Sequence, residues 1–309
     1  MITTVTLNTS VDKLYLVDKL EDYTVMRVKE VHNTAGGKGL NVSRVAALLG
    51  EQVTALGFAG GYNGQYAEAL LKKDGIESAF TTIQSETRSC INIRETSTSK
   101  HTELLELGAM VTETEADQFL LEYQSRIEQT DVITISGSVP QGIPIDFYAK
   151  LIHYAKQKQK PVLLDTSGKL LMEGIKAKPT LIKPNTDEMM QLLGRTCHSE
   201  EDVVRAALEL QERGVENIVV SLGKDGAVAV CKEGIFRCKT PDIPVINTVG
   251  CGDSMIAGLA VGMSRHLSMQ ETLRLAMAVS TANALTMQTG NFRKEDLETL
   301  LTQVQVKKI

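Results

Sequence analysis

The chain of 309 residues carries a formal net charge of −5 and contains no Trp, which argues against a stacking, phosphate-neutralising surface for nucleic acid. Its five cysteines are an odd number without CxxC spacing, so we expect reduced thiols and a cytoplasmic protein. The N-terminus lacks the charged and apolar blocks of a signal peptide, and no apolar run approaches about 18 residues, so we expect no membrane partner.

Seven short β-branched runs and six helical patterns alternate along the chain. Several of the runs are apolar at consecutive positions, which is typical of strands buried on both faces. The predicted strands are 2–7, 53–58, 132–136, 162–165, 180–183, 218–221 and 228–231. The predicted helices are 40–49, 116–127, 145–156, 200–213, 255–264 and 270–287. This alternation predicts an α/β fold, with a mainly parallel sheet and helices on both faces.

Two stretches break the alternation, at about 11–34 and 88–107. The first contains no helical pattern, and the second has the pattern of strand, turn and strand. We expect them to form a small separate sheet beside the main one, within a single domain spanning 1–309. The alternative is that they are edge strands of the main sheet.

A glycine-rich segment, Gly36-Gly37-Lys38-Gly39, precedes the first predicted helix. It is not a Walker A loop, because the GxxxxGK[ST] spacing is absent. Lys38 and Asn41 stand at the helix start, where they could contact substrate hydroxyls or a substrate phosphate. The alternative is a glycine-rich helix cap with an exposed lysine.

Asn185 and Glu188 follow the predicted strand that ends at Lys183, and they are three residues apart. One helical turn would place both on one face, and an amide oxygen with a carboxylate suits a hydrated Mg²⁺. An N-cap with a capping-box glutamate fits the same spacing. Both interpretations stay open at this point.

A glycine turn, Ser221 to Gly226, lies between two predicted strands. Turn chemistry alone accounts for Gly223 and Gly226. A turn of this kind can also carry nucleotide phosphates.

The segment Gly250-Cys251-Gly252-Asp253 opens an Ala- and Gly-rich helix. Glycines allow a ligand to approach the backbone closely, and a helix N-terminus offers free N–H groups and the positive end of the dipole. Such a turn can hold a phosphoryl group, and Asp253 could accept a proton from an attacking hydroxyl. The alternative is an N-cap aspartate after a glycine turn.

Taken together, the four motifs resemble the ribokinase-like (PfkB) carbohydrate kinases from end to end. The resemblance is strongest in GGKGLNVSRVAALLG at 36–50 and NTVGCGDSMIAG at 247–258. TLNTSVD at 6–12, ETRSCINI at 86–93 and TELLELG at 102–108 are most similar to the tagatose-6-phosphate kinase and 1-phosphofructokinase branch. Cys251 departs from the Ala or Ser that is usual between the two glycines.

The resemblance implies a ribokinase-like fold in which the small sheet acts as a lid, and an activity that converts tagatose 6-phosphate and ATP to tagatose 1,6-bisphosphate and ADP. The existing phosphate would contact Lys38 and Arg88, and the sugar would contact Asp12, Gly37 and Asn41. A homodimer through the lid is implied by analogy.

For the nucleotide end, the resemblance implies Mg²⁺ as cofactor and ATP as co-substrate. The implied ATP contacts are Lys183, Asn185, Ser221, Gly223, Gly226, Gly252 and Asn283. Asn185 and Glu188 would hold Mg²⁺ through water. Backbone amides of Gly250, Cys251 and Gly252 would stabilise the transferred group, and Asp253 would be the proton acceptor, with an ordinary carboxylate pKa of about 4.

Four alternative functions follow from the same residues. The nearest is phosphorylation of fructose 1-phosphate, which needs the same chemistry. A nucleoside or unphosphorylated-sugar kinase would have no use for Lys38 and Arg88 together. A sugar-phosphate-binding regulator would bind without turnover, although Asp253 and its flanking glycines argue against it. A dinucleotide-binding oxidoreductase is disfavoured, because no GxGxxG follows the first strand.

Overall fold

The computed structural model describes residues 1–98, 100–197 and 199–309. Their strands form a ten-stranded sheet and a four-stranded sheet. The strands are β1 (Ile2–Thr6), β2 (Ser10–Val17), β3 (Glu30–Gly36), β4 (Val53–Ala59), β5 (Glu77–Thr82), β6 (Arg88–Glu95), β7 (His101–Leu105), β8 (Val132–Ser136), β9 (Val162–Asp165), β10 (Leu181–Ile182), β11 (Asn217–Ser221), β12 (Ala227–Cys231), β13 (Gly234–Lys239) and β14 (Gln305–Lys308).

The large sheet has the order β14-β13-β12-β11-β10-β9-β8-β1-β4-β5. Neighbours from β5 to β11 pair in parallel, and β12 to β14 add an antiparallel end. The predicted mainly parallel sheet is therefore confirmed. Each predicted strand of this sheet overlaps an observed one, although the run 180–183 forms only two paired residues in β10.

Helices cover both faces of the large sheet. They are α1 (Lys38–Leu48), α2 (Gly61–Lys73), α3 (Glu113–Arg126), α4 (Phe147–Gln157), α5 (Gly168–Lys176), α6 (Thr186–Leu193), α7 (Glu200–Glu212), α8 (Cys251–Ser264), α9 (Met269–Ala284) and α10 (Lys294–Gln303). One hydrophobic core packs α1, α2, α8, α9 and α10 against the sheet, and a second core packs α3 to α7 against the other face. The two-sided α/β expectation is confirmed.

The small sheet is separate from the large one, as expected. Its order is β3-β2-β6-β7, with β2 and β6 parallel and both outer pairs antiparallel. Its strands lie within or beside the two stretches that break the helix and strand alternation. The single-domain boundaries of 1–309 stay a prediction.

Seven elements were not predicted from the sequence: α2, β5, α5, α6, α10, β13 and β14. In α2 two glycines interrupt the helical pattern and only Gly64, Ala67 and Leu71 are buried. The strand β14 at the sheet edge buries one of its four residues. In these two elements weak burial leaves weak periodicity, so they depend on tertiary contacts. The helix α5 has a clear buried face and was missed all the same.

Among the described residues, no helix combines the length and apolarity that crossing a bilayer requires.

Candidate active site

The candidate site lies at the carboxyl ends of the parallel strands, where α/β folds place their ligands. A cavity of about 220 Å³ opens there beside the ends of β1, β8 and β9. Its walls are Thr6, Asn8, Gly37, Lys38, Arg88, Ser136, Gly137, Ser138, Thr166, Ser167 and Leu170. Lys38 and Arg88, predicted from distant motifs to bind one phosphate, line this same cavity.

The guanidinium of Arg88 is held in place by two backbone carbonyls. Its two terminal nitrogens donate to the oxygens of Glu106 and Asn8, each at 3.0 Å. Its buried Nε has no hydrogen-bond partner among the described residues, and neither has the hydroxyl of Ser136 in the same cavity wall. Buried polar atoms without a partner are costly, so this cavity is prepared for a polar ligand.

Asp165, which ends β9, joins the two lysines of the site. Its carboxylate lies 3.2 Å from the Lys183 ammonium and 3.8 Å from the Lys38 ammonium. Asp165 and Lys183 are buried, whereas Lys38 is about half exposed. Asp165 and Ser138 were missed from the sequence. The sequence signal for Asp165 was its position at the carboxyl end of a buried strand.

The turn before α8 has the geometry that its glycines predict. Gly250 adopts the left-handed conformation with φ of 81°, and a Cβ there would lie 2.6 Å from Thr289. α8 begins at Cys251, and a Cβ on Gly252 would lie 3.4 Å from the Lys183 ammonium. The backbone of this turn therefore lies close to the Lys183 ammonium at Gly252.

Asp253 lies in the first turn of α8 and is 6% exposed. Asn41 donates from Nδ2 to its carboxylate at 2.8 Å. Burial, followed by the negative charge of Asp165, raises the pKa of Asp253 to about 6, against the opposing effects of Lys38, Asn41 and Lys183. The pKa of about 4 expected from the sequence is therefore wrong, because it took no account of burial and a second carboxylate.

Asp12 and Gly37 lie where the small sheet meets the large one. Ser10 donates its hydroxyl to the Asp12 carboxylate at 2.6 Å, and burial raises the pKa of Asp12. A Cβ on Gly36 would lie 2.0 Å from the same carboxylate. Asp12 and Asn41 also line a second cavity, of about 250 Å³, between the small sheet and the turn before α8. Two of the sugar-contacting candidates thus share one cavity, and Asn41 connects it to the base candidate through its hydrogen bond to Asp253.

Asn185 and Glu188 form a reciprocal capping box at the start of α6. The Asn185 side chain accepts from the Glu188 N–H at 2.8 Å, and the Glu188 carboxylate accepts from the Asn185 N–H at 2.9 Å. The negative charge of Glu188 also acts on Lys38, whose pKa is raised mainly by Asp165. The capping alternative is therefore realised, and Mg²⁺ binding stays a prediction. No group of three His, Cys, Asp or Glu within the described ranges is arranged for a metal.

The glycine turn after β11 has a structural reason for its glycines. Gly223 and Gly226 have φ of 61° and 92°, and a Cβ on Gly226 would lie 2.1 Å from the Cys238 oxygen. Ser221 ends β11 and bridges to Asn185, so this turn adjoins the Asn185 cap. A cleft of about 590 Å³ beside it includes Thr186 and Lys224. Contacts of Ser221, Gly223 and Gly226 with ATP stay predictions.

Asn283 lies beneath the turn before α8. It is fully buried, and its amide donates to the Val249 oxygen at 3.0 Å. Its oxygen accepts from the N–H of Gly290 at 2.9 Å and of Asn291 at 3.3 Å. These bonds join the turn to the loop after α9, so the structure gives Asn283 a positioning role. Its predicted contact with ATP stays a prediction.

The family model of the pfkB family carbohydrate kinases matches residues 5–296. The chain belongs to the PfkB family of carbohydrate kinases. The resemblance seen in the sequence motifs is confirmed, and with it the expectation of an enzyme that transfers a phosphoryl group from ATP to a sugar.

Relatives of this PfkB kinase agree in sequence and in fold. The tagatose-6-phosphate kinase of Staphylococcus epidermidis is 39% identical over 309 residues, covering 99% of this chain and 99% of that protein. Phosphofructokinase-2 from Escherichia coli in complex with potassium superposes with a TM-score of 0.91 at 27% identity, covering 97% of this chain and 98% of that one. The same enzyme with substrates and products gives a TM-score of 0.89 at 27% identity and the same coverage.

Proposed function

We propose that this PfkB kinase phosphorylates the free hydroxymethyl group of tagatose 6-phosphate, with ATP as the phosphoryl donor. The observation that carries the proposal is the cavity at the ends of β1, β8 and β9, which is lined by both Lys38 and Arg88. Two cations in one cavity of an acidic protein favour a substrate that already carries phosphate. The relative at 39% identity, which is named for this substrate, supports the choice among sugar phosphates.

In this proposal, the sugar phosphate spans two cavities. Its phosphate lies with Arg88 and Lys38, and its hydroxyls contact Asp12, Asn41 and the backbone at Gly37. Arg88 supplies the unpaired Nε as a donor, without having to abandon its two backbone acceptors. The substrate is thereby oriented with its free hydroxymethyl group toward Asp253.

Asp253 accepts the proton of the attacking hydroxyl. The substrate oxygen forms a bond to the γ-phosphorus, the bond from phosphorus to the β,γ-bridging oxygen breaks, and ADP leaves with that electron pair. The pKa of Asp253 is about 6, so its carboxylate is ionised at neutral pH and is a stronger base than an exposed carboxylate. The backbone amides from Gly250 through Gly252 stabilise the charge on the transferred group.

The nucleotide end uses Lys183, Asn185, Ser221, Gly223, Gly226, Gly252 and Asn283. Asn185 and Glu188 would hold Mg²⁺ through water, since their oxygens keep a free lone pair while they serve the α6 cap. When bound, Mg²⁺ neutralises charge on the phosphate oxygens of ATP. Lys183 lies beside the backbone of Gly252, where a phosphate would contact both the lysine and the start of α8.

The deciding test is an ADP-release assay with Mg-ATP that compares kcat/KM for tagatose 6-phosphate, fructose 1-phosphate, fructose 6-phosphate and ribose. We expect tagatose 6-phosphate to give the highest kcat/KM. Preference for fructose 1-phosphate would replace the substrate within the same mechanism. Preference for ribose would show that Lys38 and Arg88 are not a phosphate pocket. Binding of sugar phosphate without ADP release would indicate a regulator.

We also propose that the lid, the sheet formed by β2, β3, β6 and β7, pairs with a second copy of the chain. Its edge strands β3 and β7 carry Val31 and Leu104, which are 51% and 54% exposed. Edge strands with apolar side chains favour association. Sedimentation velocity should give a dimer that Leu104→Lys shifts toward monomer. A wild-type monomer at micromolar concentration would contradict the proposal.

A further inference from the structure

Arg44 of α1 is a buried arginine, 7% exposed, that lies in the 36–50 segment and has no role in the proposed reaction. Its Nε lies 3.2 Å from the Asp74 carboxylate. Its terminal nitrogens donate to the Ala35 oxygen at 2.6 Å, to the Thr289 oxygen at 3.1 Å and to the Asn41 side-chain oxygen at 3.1 Å. A buried guanidinium is tolerated when its donors are occupied in this way.

The acceptors of Arg44 belong to two segments of the candidate active site. Ala35 precedes the glycine segment that carries Lys38. Thr289 lies against the left-handed Gly250 of the phosphate-binding turn, whose added Cβ would meet it at 2.6 Å. A Cβ on Gly290 would lie 2.9 Å from Arg44, so the arginine fills the space between the two turns.

The contact with Asn41 determines which end of that amide faces the base. An asparagine amide has an acceptor end and a donor end, whereas a guanidinium has donors only. Because Arg44 occupies the oxygen of Asn41, the NH₂ group must point away from it. That NH₂ group is the donor to Asp253 at 2.8 Å.

We propose that Arg44 is a positioning residue that locks the Asn41 amide, so that the proton-accepting carboxylate receives a donor and not an oxygen lone pair. The proposal rests on the proposed role of Asp253 as the base. A flipped amide would place two donors together at Arg44 and two acceptors together at Asp253. Such an arrangement favours the protonated carboxyl group, which cannot act as a base.

Other charged groups also affect the pKa of Asp253, and the test must leave them in place. They are Asp165 at the end of β9, Lys38 on α1 and Lys183 after β10. None of them hydrogen-bonds to Asn41 or Arg44 among the contacts of the described residues. Removing Arg44 therefore changes the Asn41 contact with these three groups in place. It also removes a positive charge that lowers the pKa of Asp12, and the Asn41→Ala background controls for that effect.

The first experiment compares kcat/KM at about pH 8 and about pH 6 for wild type and Arg44→Met, with the same substrates. We expect the ratio between the two pH values to rise about three- to tenfold in the variant, because the base becomes easier to protonate. Ionisation of ATP and of the sugar phosphate is common to both proteins and cancels. An equal loss at both pH values would mean a merely structural role and would overturn the proposal.

Two further variants separate an effect on the orientation of the Asn41 amide from an effect on the stability of the fold. Asp74→Asn removes the ion pair of Arg44 on the side away from Asn41, so it should lower the melting temperature without changing the pH ratio. In an Asn41→Ala background, Arg44→Met should produce no further change in that ratio. A further change in that background would show that Arg44 acts by another route.

The wild-type protein offers a measurement that no folding failure can obscure. The side-chain NH₂ resonances of Asn41 should follow a titration near pH 6 in NMR spectra, and Asp253→Asn should abolish that titration. Absence of the titration in wild type would refute the amide orientation. If Asp253→Asn retained turnover, Asp253 would not be the proton acceptor. The resonance titration in wild type would still show whether the Asn41 amide donates to Asp253.

Discussion

The two ends of the candidate active site use their polar groups differently. At the sugar end, Arg88 Nε and Ser136 Oγ are buried without hydrogen-bond partners among the described residues. At the nucleotide end, Asn185 and Glu188 bond to each other as a helix cap. The sugar end therefore carries groups kept for a ligand, whereas the nucleotide end builds its candidates into the fold.

This difference explains why the structure indicates a binding site more clearly at the sugar end than at the nucleotide end. An unsatisfied buried donor lowers stability, and where its residue also lines a cavity, as Arg88 does, the two observations together favour a polar ligand. A capping box stabilises its helix with or without a nucleotide, so its presence indicates nothing about Mg²⁺. Variants at each end can therefore separate binding of a ligand from stabilisation of the fold.

The largest effect is expected at the junction of the two ends. Asp253→Ala or Asp253→Asn should lower kcat at least about 100-fold, with smaller changes in KM, because the base acts in the transition state. Steady-state ADP release measures this directly. Turnover close to wild type in either variant would remove Asp253 from the proposed mechanism.

The next largest effect is expected at the sugar end. Arg88→Ala should raise the KM for the sugar phosphate about 30-fold and leave the KM for ATP within about threefold, since a charge-assisted contact to phosphate is lost. Arg126→Ala is a suitable control, because Arg126 lies on α3, pairs with Glu122 and Glu77, and lines neither of the two cavities. A change confined to the KM for ATP would show that the pocket is misplaced.

A smaller effect separates capping from metal binding at the nucleotide end. Glutamine also completes a capping box, so Glu188→Gln should keep the melting temperature while the Mg²⁺ concentration for half-maximal rate rises about tenfold. Glu271 caps α9 through the same reciprocal bonds with Ser268, so Glu271→Gln is the matched control. Identical Mg²⁺ dependence in wild type and Glu188→Gln would leave Glu188 as a cap alone.

The smallest effect concerns stability. Raising the pKa of Asp253 from 3.8 to about 6 means that the folded state binds the proton more tightly, so stability falls as pH rises through this range. The full cost above pH 7 is roughly 3 kcal/mol. We expect Asp253→Asn to recover about 1 kcal/mol at about pH 8, because Lys38 and Lys183 lose a counter-charge.

Urea denaturation of wild type and Asp253→Asn at about pH 8 and about pH 4 measures this cost. The gain should shrink toward the lower pH, where wild-type Asp253 is protonated. A gain of equal size at both pH values would show that the cost does not come from ionisation.

Much of the fold was predictable from local pattern. Strands such as β8 and β9 are apolar at consecutive positions because both of their faces are buried, and that burial is visible in the residues themselves. The strand β14 was missed because the residues of a sheet-edge strand are chosen by their neighbours as much as by their own propensity. The small separate sheet was predicted because its segments interrupt an otherwise regular order of helices and strands.

The sequence by itself determined the family and the local chemistry of the turns: Gly250 must be glycine because its φ is positive, and Asp253 follows it in the first turn of a helix. Only the tertiary structure brought Asp165, Lys38 and Lys183 around Asp253 and turned the Asn41 amide with Arg44. The physical reason is that burial and charge–charge effects depend on distance in space. These residues are far apart in the chain, so no local pattern could reveal the raised pKa of Asp253.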